Sequence, residues 1–529
     1  MQLKLGIDVG GTNTDAIIMD KQNNLLGAVK TPTTEDVGSG ILNAIDDLLA
    51  QSGVDPSSIA YAMIGTTHCT NALIEHKRLA TVAVMRIGKP LGEALEPAID
   101  WPDKLRKDIG CFSYIVKGGF EFDGRLLENE LDETEIRKCL LDIREKGAEC
   151  LAISCIFSPV KADHEKHVAK MAKQILGPSF PITVSHEIGS LGLLERENST
   201  ILNGALLKVT RQAAKGIEEA LSIRNINARI CFGQNDGTIM SLDYAQRYPV
   251  LTIGSGPTNS IRGAAFLTGL DDCIIVDIGG TSTDIGELVK GFPRESAINM
   301  KISGVRTNFR MPEIYSIGLG GGSIVNYKNG LVEVGPDSVG YKITEKSLAW
   351  GGDTLTATDI VLASRDIKIQ DPKCSRDRVL NISPGLCNKA NQIIVSRVEN
   401  MIEQAKTGNR SVPIVLVGGG SILLPDHMEG VSQIIRPLNY QYANAIGAAI
   451  AQISGQVDRI WSLDILSRKE AIEEARIYAV QEAIEAGADP ETIEIVDINE
   501  IPLAYLPSNA VRIKVKATGM LRDSLTTKW

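Results

Sequence analysis

The sequence contains no apolar run near the ~18 residues that a membrane-spanning helix requires. The first ten residues, MQLKLGIDVG, include an aspartate where a signal peptide would need an unbroken apolar stretch. Positive charge is also scarce: 55 Lys and Arg residues stand against 65 Asp and Glu residues, which gives a formal net charge of −10. We therefore expect no membrane span and no non-specific binding to nucleic acid or to an anionic membrane surface.

Cysteine is sparse and irregularly placed. The 529 residues include nine cysteines, an odd number, and none of them lies in a C-x-x-C pair. Scattered cysteines in a large chain are typical of buried free thiols in a reducing compartment rather than of a disulfide framework or a zinc site. This pattern favours a cytoplasmic location.

Two common nucleotide-binding motifs are absent as well. The sequence contains no G-x-x-x-x-G-K-[ST] motif, which excludes a Walker-type phosphate loop, and no G-x-G-x-x-G fingerprint that opens a helix and is followed by a ribose-binding acid. If the chain binds a nucleotide, we expect it to use another device.

The pattern of apolar and polar segments predicts an α/β protein with more than one domain, because 529 residues exceed the usual size of a single core. Short apolar, β-branched runs predict strands; they are Lys4–Val9, Tyr61–Ile64, Thr81–Met85, Cys150–Phe157, Ile182–Ser185, Arg229–Phe232, Cys273–Asp277 and Ile414–Val417. Polar stretches with helical periodicity lie between them; they include Val37–Gln51, Leu131–Lys146 and His164–Leu176.

The last segment has its own character. Ser467 and Glu470 form a capping box, in which both side chains bond the free amides of a helix start, and Gly487 is suited to the helix end. Two strand-like segments follow, Thr492–Ile498 and Val511–Ala517. We expect residues 461–529 to form a small α+β appendage without catalytic residues.

One motif occurs twice, once in each half of the chain. Asp8–Asp15 and Asp277–Asp284 both have the pattern D-[VI]-G-G-T-x-T-D, and both follow an apolar run. Glycines let backbone amides approach phosphate oxygens closely, and an aspartate at the strand end can hold Mg²⁺ directly or through water. Either copy alone could be only a tight β-hairpin. The repetition predicts instead two turns that face each other and hold the β- and γ-phosphates between them.

A third glycine-rich turn follows the strand Ile414–Val417. It comprises Gly418, Gly419, Gly420 and Ser421. Two phosphate turns followed by a late glycine turn resemble the arrangement of the actin-like ATPases. In that superfamily the late turn holds the adenosine, so the resemblance implies that Gly418–Gly420 contact the nucleotide.

Further motifs resemble the hydantoinase A/5-oxoprolinase family in order along the chain. The correspondences are Gly65–Glu75 with GTT-x-x-TNALIE, Glu195–Gly204 with E-R-x-x-T-x-x-x-N-A, Asn235–Gly237 with SDGG, Ser255–Pro257 with the start of SGPAAG, Asp277–Asp284 with DMGGTSTD, and Gly318–Ser323 with GAGGGS. Together they cover residues ~3–455. The resemblance implies two actin-like (ribonuclease H-like) ATPase domains with an inserted α/β region, which we expect at 1–190, with the insertion, and 191–460.

The resemblance also implies a function: ATP-dependent hydrolysis of a cyclic amide such as a hydantoin or 5-oxoproline, through phosphorylation of the amide oxygen. The cofactors would be ATP and Mg²⁺. Asp8 and Asp277 are the candidate metal and catalytic residues, with Thr66, Thr67 and Asn71 as further catalytic candidates. The candidate phosphate-binding residues are Gly10, Gly11, Thr12, Asn13, Gly279, Gly280, Thr281 and Ser282. Asp15 and Asp284 could be structural, each capping its own turn.

Two departures limit the resemblance. The family commonly has Asp-x-His shortly before GAGGGS, whereas this chain has Pro312–Gly318 without a histidine. The chain is also shorter than a typical A subunit. Alternatives that stay open are a ketone carboxylase subunit, a small-molecule kinase and a reactivating ATPase that acts on a protein. A B-type partner subunit and a homo-oligomer are also left open.

Overall fold

The computed structural model describes residues 2–10, 12–33, 37–128, 130–296, 300–309, 311–328, 331–369, 371–408, 411–504 and 509–522. The helices are α1 (Val37–Ser52), α2 (His68–Glu75), α3 (Asp103–Asp108), α4 (Glu133–Glu145), α5 (Asp163–Leu176), α6 (Leu193–Ile223), α7 (Leu242–Arg247), α8 (Ser255–Thr268), α9 (Ile343–Lys346), α10 (Ala357–Ser364), α11 (Pro384–Ala405), α12 (Ala443–Ile450) and α13 (Arg468–Ala486). The helices predicted at 37–51, 131–146 and 164–176 correspond to α1, α4 and α5.

The strands alternate with the helices along most of the chain. They are β1 (Leu3–Val9), β2 (Asn13–Met19), β3 (Leu25–Pro32), β4 (Ile59–Thr66), β5 (Val82–Lys89), β6 (Phe112–Lys117), β7 (Cys150–Cys155), β8 (Ile182–Val184), β9 (Arg229–Gly233), β10 (Ile239–Ser241), β11 (Cys273–Ile278), β12 (Thr283–Val289), β13 (Phe292–Pro293), β14 (Lys301–Ile302), β15 (Val305–Arg306), β16 (Ile314–Ile317), β17 (Ser323–Lys328), β18 (Leu331–Ser338), β19 (Val412–Val417), β20 (Val431–Ile435), β21 (Ile453–Ser462), β22 (Glu494–Pro502) and β23 (Ala510–Gly519). Each predicted strand has a counterpart, and the α/β class is confirmed.

Two mixed sheets have the same order over five strands, β3-β2-β1-β4-β9 in the first and β13-β12-β11-β19-β20 in the second. Within the described residues the first sheet runs β22-β23-β21-β10-β9-β4-β1-β2-β3, and the second runs β13-β12-β11-β19-β20 with β16 beside β12. In both, a hairpin (β1–β2 or β11–β12) is antiparallel and its first strand pairs in parallel with a later strand, β4 or β19. The repeated sequence motif is therefore the turn of the same hairpin in each sheet.

A third sheet is built from the segment between β4 and α6. Its order is β6-β5-β7-β8, and all its strand pairs are parallel. Helices α4 and α5 cover a core that includes Ile136, Leu140 and Val168. The sheet lies within residues 1–190, the range in which we expect the inserted α/β region, and its assignment to that region stays a prediction.

Helices α8 and α12 join the first and second sheets. Ala445 and Ala449 of α12 pack on Ile17 and Met19 of the first sheet, and Ile261 of α8 lies in a cluster with strand residues of the second sheet. The two helices cross at glycines. A β-carbon at residue 263 would lie 1.9 Å from the Ala443 carbonyl oxygen, and one at residue 447 would lie 1.8 Å from that of Asn259. The backbones therefore touch, which fixes α8 between the sheets.

The C-terminal segment corrects one expectation. The capping box of Ser467 and Glu470 is present, α13 ends at Gly487 in the left-handed conformation, and two strands follow as predicted. These strands, however, do not form a separate appendage, because β23 pairs with β21 along ten residues and extends the first sheet. The first sheet thus takes strands from all three of the ranges 1–190, 191–460 and 461–529, and those boundaries stay a prediction.

The capping box supports a modest stability prediction. Ser467→Ala removes the hydroxyl that accepts a 3.3 Å hydrogen bond from the Glu470 amide. We expect the free energy of unfolding to fall by about 1 kcal/mol, the usual cost of losing an N-cap. Urea denaturation measures the change. Ser467→Asp, which can cap in the same way, should restore most of the loss. Equal stability of the alanine variant and the parent chain would contradict this role.

All nine cysteines are free thiols, as expected. Six of them are buried, namely Cys69, Cys150, Cys155, Cys231, Cys273 and Cys387. Among the described residues, no helix is both long enough and apolar enough to cross a membrane.

Candidate functional site

The first turn connects β1 to β2. Asp8 lies opposite Asp15 in the hairpin, and the Gly10 amide donates to the Asn13 carbonyl at 3.0 Å. Thr33 Oγ1 donates to the Gly10 carbonyl at 2.8 Å and anchors the turn from β3. Gly11 lies outside the described residues. The turn is thus a hairpin, as its sequence allows, with Asp8 at the end of a buried strand.

The second turn repeats this geometry between β11 and β12. Asp277 lies opposite Asp284, and the Gly279 amide donates to the Ser282 carbonyl at 2.9 Å. This bond corresponds to the one in the first turn. Equivalent residues of the two sequence copies therefore occupy equivalent positions, which also places Thr281 at the tip of the second turn as Thr12 is at the tip of the first.

The two turns face each other. A β-carbon at residue 280 would lie 2.7 Å from Thr12 Oγ1, which is closer than real side chains approach. Only glycine at this position permits the contact. The structure therefore brings together the tips of two turns that are separated by more than 260 residues of sequence, as the repeat predicted.

Strand β4 brings the threonine segment to the first turn. Thr66 is opposite Val9 in the parallel register, and Thr67 Oγ1 donates to the Val9 carbonyl at 3.3 Å. Asn71 lies on α2, and its Nδ2 donates to Thr67 Oγ1 at 3.3 Å. Asn71 is exposed and contacts Thr67, whereas the buried Thr66 hydroxyl forms a hydrogen bond with His68.

The late glycine turn lies beside the second turn, because β19 pairs in parallel with β11. Gly418 has a φ of +80°, and a β-carbon there would lie 2.3 Å from Asp277 Oδ1. A β-carbon at residue 420 would lie 2.7 Å from the Gly279 carbonyl oxygen, whereas one at residue 419 would meet no atom within 4 Å. Gly418 and Gly420 thus allow close packing against the second turn, and Gly419 faces open space.

The loop Gly318–Ser323 supports the second turn from the other side. The Gly321 amide donates to the Gly279 carbonyl at 3.0 Å, and the Gly322 amide donates to the Gly280 carbonyl at 2.7 Å. The sequence identified this loop only as a family motif. Its position makes it a backbone support that fixes how the second turn is presented.

Residues 312–318, where the family commonly has Asp-x-His, form an ion pair and hydrogen bonds within the second sheet. Glu313 forms an ion pair with Arg294 at 2.6 Å and accepts a 2.7 Å hydrogen bond from the Tyr315 hydroxyl. Ser316 hydrogen-bonds Asp284. These side chains therefore connect strands and hold Asp284, consistent with a structural role for that residue.

Buried carboxyl groups dominate the electrostatics. Burial, together with the nearby charges of Asp15 and Asp277, raises the pKa of Asp8 to about 7 against the opposing charge of Lys30. Burial likewise raises the pKa of Asp277, against the hydrogen bond from Ser260 that lowers it. Lys30 pairs with Asp15 and is the cation that offsets this cluster. A site so rich in buried negative groups favours a cation between the carboxyls.

Helix α8 supplies two polar side chains that the sequence did not single out. Ser260 Oγ donates to Asp277 Oδ2 at 2.5 Å. Asn259 is 0% exposed, and neither its Nδ2 nor its Oδ1 has a hydrogen-bond partner among the described residues; the same is true of Asp8 Oδ1. The SGPAAG loop has Ala and Gly at these two positions, so the departure Asn259-Ser260 was the available signal.

The residues fit a magnesium ion that is shared with phosphate. Magnesium takes one or two carboxylates together with phosphate oxygens and waters. Asp8 Oδ1 is a buried carboxylate oxygen without a hydrogen-bond partner in the described part of the chain. Within the ranges that the structure describes, no group of three or more His, Cys, Asp or Glu side chains could hold a metal ion. The described residues therefore offer no metal site made of protein ligands alone.

Asp284 supports a pH prediction. Burial raises its pKa from 3.8 to about 6, so the folded chain retains a proton that the unfolded chain loses above about pH 4. Its stabilising contribution is full below that pH and is lost as the pH rises through about 6. Asp284→Asn, which stays neutral, should gain on the order of 1 kcal/mol relative to the parent chain between pH 5 and pH 8.

The measurement is urea denaturation of both chains at pH 5 and pH 8. Asp47→Asn, a change at an exposed aspartate of α1, is the control and should track the parent chain at both values. A parent-to-Asp284→Asn difference that does not change with pH would contradict the raised pKa.

Family models match the chain in two consecutive parts. The hydantoinase/oxoprolinase N-terminal region matches residues 4–176, and the hydantoinase/oxoprolinase model matches residues 196–371. The first match covers β1 to α5 and the second begins within α6. Both glycine turns, at Gly10 and at Gly279, fall inside the matched ranges.

The chain is also similar to individual proteins and to a solved structure. The chain is 29% identical to the caprolactamase subunit alpha of Pseudomonas jessenii over 68% of this chain and 54% of that one. It is 26% identical to the acetophenone carboxylase gamma subunit of Aromatoleum aromaticum over 68% and 53%. The chain thus spans about half the length of these relatives. The crystal structure of the ATP-dependent caprolactamase from Pseudomonas jessenii has the same fold, with a TM-score of 0.76 at 20% identity over 99% of this chain and 89% of that one.

Proposed function

Since this chain belongs to the hydantoinase/oxoprolinase family, we propose that it uses ATP to hydrolyse a cyclic amide by phosphorylating the amide oxygen. The observation that carries this proposal is the contact between Thr12 and Gly280, which sets two equivalent glycine turns face to face, with the buried Asp8 behind the first and the partly buried Asp277 behind the second. Such a pair of backbone turns and carboxylates is suited to holding a triphosphate and its cation.

The finer fold assignment belongs to the same proposal. We assign the first and second sheets to two actin-like (ribonuclease H-like) units, on the basis of their common strand order and the helices α8 and α12 between them. The nucleotide phosphates would lie between the two turns, and the adenosine beside Gly418–Gly420. Gly419, which faces open space, is the glycine of that turn best placed to meet a ligand.

The roles of the side chains follow from their positions. The backbone amides near Gly10 and Gly279 and the hydroxyls of Thr12 and Thr281 would hold phosphate oxygens, while Asp8 and Asp277 would hold Mg²⁺. When bound, Mg²⁺ supplies neutralisation of phosphate charge. Thr66 and Thr67 border the first turn on the side of β4 and would orient the substrate amide.

The proposed reaction balances as follows. The amide oxygen attacks the γ-phosphorus, the bond between that phosphorus and the bridging oxygen of ADP breaks, and the electron pair leaves with ADP. Water then adds to the activated carbon and the ring nitrogen departs with a proton, which leaves an acyl phosphate. A second water releases phosphate and the carboxylate. Phosphorylation helps because it removes the resonance that protects a planar amide from attack.

ATP turnover by the purified chain tests the proposal. Caprolactam, 5-oxoproline, hydantoin and acetone would each be added with Mg²⁺, and free phosphate, ring-opened acid and phosphorylated product would be measured. We expect a cyclic amide to stimulate phosphate release together with ring opening. A stable phosphorylated product would indicate a kinase instead, and ATP turnover that no small molecule alters would favour either a missing partner subunit or a reactivating ATPase. Absence of ATP binding would overturn the proposal.

A ketone carboxylase subunit is the second candidate, favoured by the match to the acetophenone carboxylase gamma subunit. It would phosphorylate a ketone oxygen and pass the product to carbon dioxide. Stimulation of ATP turnover by acetone with bicarbonate, and by none of the cyclic amides, would select it. The relatives are described as subunits, so we also propose a B-type partner. Repeating the assay with the partner subunit of one of these relatives added would test that proposal.

A further inference from the structure

A cavity lies between the turn that joins β9 to β10, the first half of β21 and helix α13. Its volume is about 120 Å³, below the roughly 300–1,000 Å³ of sites for drug-sized ligands, so it suits a small molecule. Glu187, an exposed residue, lies on its wall, and the cavity therefore reaches the protein surface. None of the residues that line it belongs to the two glycine turns. Its polar lining comes from distant segments and includes Ser190, Asn235, Tyr244, Gln456, Arg459 and Glu482.

Arg459 is a cation of this lining that has no polar partner among the described residues. Its guanidinium stacks on the Tyr478 ring, 4.4 Å from the ring centroid, and forms no hydrogen bond or ion pair with the described part of the chain. Stacking positions the planar group and leaves its N–H donors available. The fork of an arginine matches a carboxylate, which it can bind through two parallel hydrogen bonds.

The other acidic side chains of the cavity already have cationic partners. Asp458, the neighbour of Arg459 in sequence, accepts two 2.7 Å hydrogen bonds from Arg512. Glu187 forms a 2.7 Å ion pair with Arg247. The carboxylate that would complete Arg459 is therefore one that a ligand brings.

Glu482 places a negative charge on the same cavity. It follows Tyr478 by four residues on α13, so the two side chains lie on one face of the helix. Glu482 accepts a 2.9 Å hydrogen bond from the Tyr244 hydroxyl, and within the described residues it forms no ion pair, with Arg459 or with another cation. Burial raises the pKa of the Glu482 carboxyl, which indicates that its charge is poorly compensated. Two opposite charges thus line one cavity without pairing with each other.

An amino acid carries the complementary pair of charges, a carboxylate for the arginine and an ammonium group for the glutamate. We propose that the cavity binds a small amino acid zwitterion, with its carboxylate on Arg459 and its ammonium group on Glu482. A phosphate group suits the site less, because the carboxylates of Glu187 and Asp458 also line it and would repel a doubly charged anion. Opening a lactam ring yields an amino acid, so the proposed function would supply one source of the ligand, whereas the binding itself does not depend on that function.

Titration calorimetry of the full chain tests the proposal. The probes are glycine, 4-aminobutanoate, 6-aminohexanoate and L-glutamate, which differ in the distance between the amine and the carboxylate. Each would be compared with the acid and the amine that keep only one of its charges, such as hexanoate and hexylamine for 6-aminohexanoate. We expect at least one amino acid to bind about 10-fold or more tightly than either analogue, because each analogue leaves one charge of the cavity without its partner. Absence of binding by all four would overturn the proposal.

Two variants assign the charges. Arg459→Gln should weaken binding of the amino acid and of the acid by about 10- to 10²-fold and leave the amine unchanged. Glu482→Gln, which can still accept the Tyr244 hydrogen bond, should weaken binding of the amino acid and of the amine and leave the acid unchanged. The matched control is Arg476→Gln, at an exposed arginine of α13 whose ion-pair contact with Glu473 is 3.8 Å long; it should bind like the parent chain. Variants at residues 459 and 482 that alter Tm but keep the affinity for amino acids would show that these charges serve only the fold, and the proposal would be wrong.

The inference and the proposed function fail separately. If amino acids bind as expected but the chain hydrolyses no cyclic amide, the inference stands and the proposed function is wrong. If cyclic amides are hydrolysed and no amino acid binds, the reverse holds. Where both hold, the source of the ligand is decided by adding the ring-opened acid to the turnover assay. Slower turnover in the parent chain but not in Arg459→Gln identifies the ligand as the product, whereas binding without an effect on turnover identifies it as a free amino acid from another reaction.

Discussion

Asp277→Asn is expected to lower ATP turnover by about 10²-fold or more while leaving the fold intact. The aspartate lies at the end of β11, accepts a 2.5 Å hydrogen bond from Ser260, and touches Gly418. Asparagine keeps the size of the side chain but removes the charge that the proposed metal and phosphate arrangement requires. Losses of this size are typical when one charged or polar group that acts on the transition state is removed.

The same experiment on Asp8 makes the prediction more specific. Asp8→Asn should reduce turnover to a similar degree, because Asp8 and Asp277 are equivalent residues of the two hairpins. Phosphate release under saturating ATP and Mg²⁺, measured with and without cyclic amide, gives the rates, and Tm verifies folding. Asp47→Asn is the control at an exposed aspartate. A variant at residue 277 with more than about a third of the parent rate would contradict a role of this aspartate in phosphoryl transfer.

Lys516→Met is expected to destabilise the chain by about 3–5 kcal/mol, the range observed when one partner of a buried ion pair is removed. Lys516 on β23 contacts Asp236 Oδ2 at 2.8 Å, and the two side chains are 8% and 6% exposed. Asp236 also accepts hydrogen bonds from the Thr238 amide and from Gln456. Without the Lys516 ammonium group, the Asp236 carboxylate would remain buried with no positive charge beside it. A buried charge without a counter-charge strongly destabilises the folded chain.

Urea denaturation at pH 7 measures the effect. Lys514→Met is the matched control, since Lys514 lies two residues away on β23. Its contact with Asp458 is longer, at 3.8 Å, and more exposed. The substitution should therefore lower the free energy of unfolding by less than about 1 kcal/mol. Adding Asp236→Asn to Lys516→Met should recover part of the loss, because the unpaired charge is then absent. Equal effects of the two lysine substitutions would show that the buried pair contributes nothing specific.

Acid unfolding gives an independent check of the ion pair between Asp236 and Lys516. Lys516 and the surrounding hydrogen bonds lower the pKa of Asp236 to about 2, against the effect of burial. A carboxyl with a lowered pKa stabilises the folded chain above its unfolded value near pH 4, and this contribution is lost as the pH falls toward 2. Lys516→Met should therefore unfold at a higher pH during acid titration than the parent chain does.

Asp236 also shows how far sequence reasoning reached. The sequence identified Asn235–Gly237 as a family turn, and it predicted α13, β22 and β23 from their local patterns. It did not reveal that Lys516 on β23 pairs with that turn, because the two lie 280 residues apart and neither strand pattern contains information on its neighbour. The expectation of a separate C-terminal appendage was wrong for the same reason: local pattern predicts a strand, while pairing partners decide which sheet it joins.

The candidate site divides in a similar way. The repeated D-[VI]-G-G-T-x-T-D motif predicted two turns that face each other, and the structure shows that each is also the turn of a β-hairpin, the form that either copy alone allowed. Glycine at residue 280 proved to be required by the contact with Thr12. Asn71 was predicted as a catalytic residue, and this stays a prediction: the side chain is exposed and contacts Thr67, which borders the first turn. Asn259 was not predicted, because a lone asparagine in a helix becomes informative only when its burial and its unpaired atoms are known.

The sequence by itself determined the α/β class, the positions of most helices and strands, the repeated turns, and the family, because these depend on local periodicity and on short motifs whose glycines and aspartates have a direct physical reason. Only the tertiary structure decided which elements meet: that β23 extends the first sheet, that Gly263 and Gly447 let α8 and α12 touch, and that Asn259 and Ser260 lie beside Asp8 and Asp277. These relations depend on long-range packing, which brings distant residues into contact without leaving a pattern in either segment.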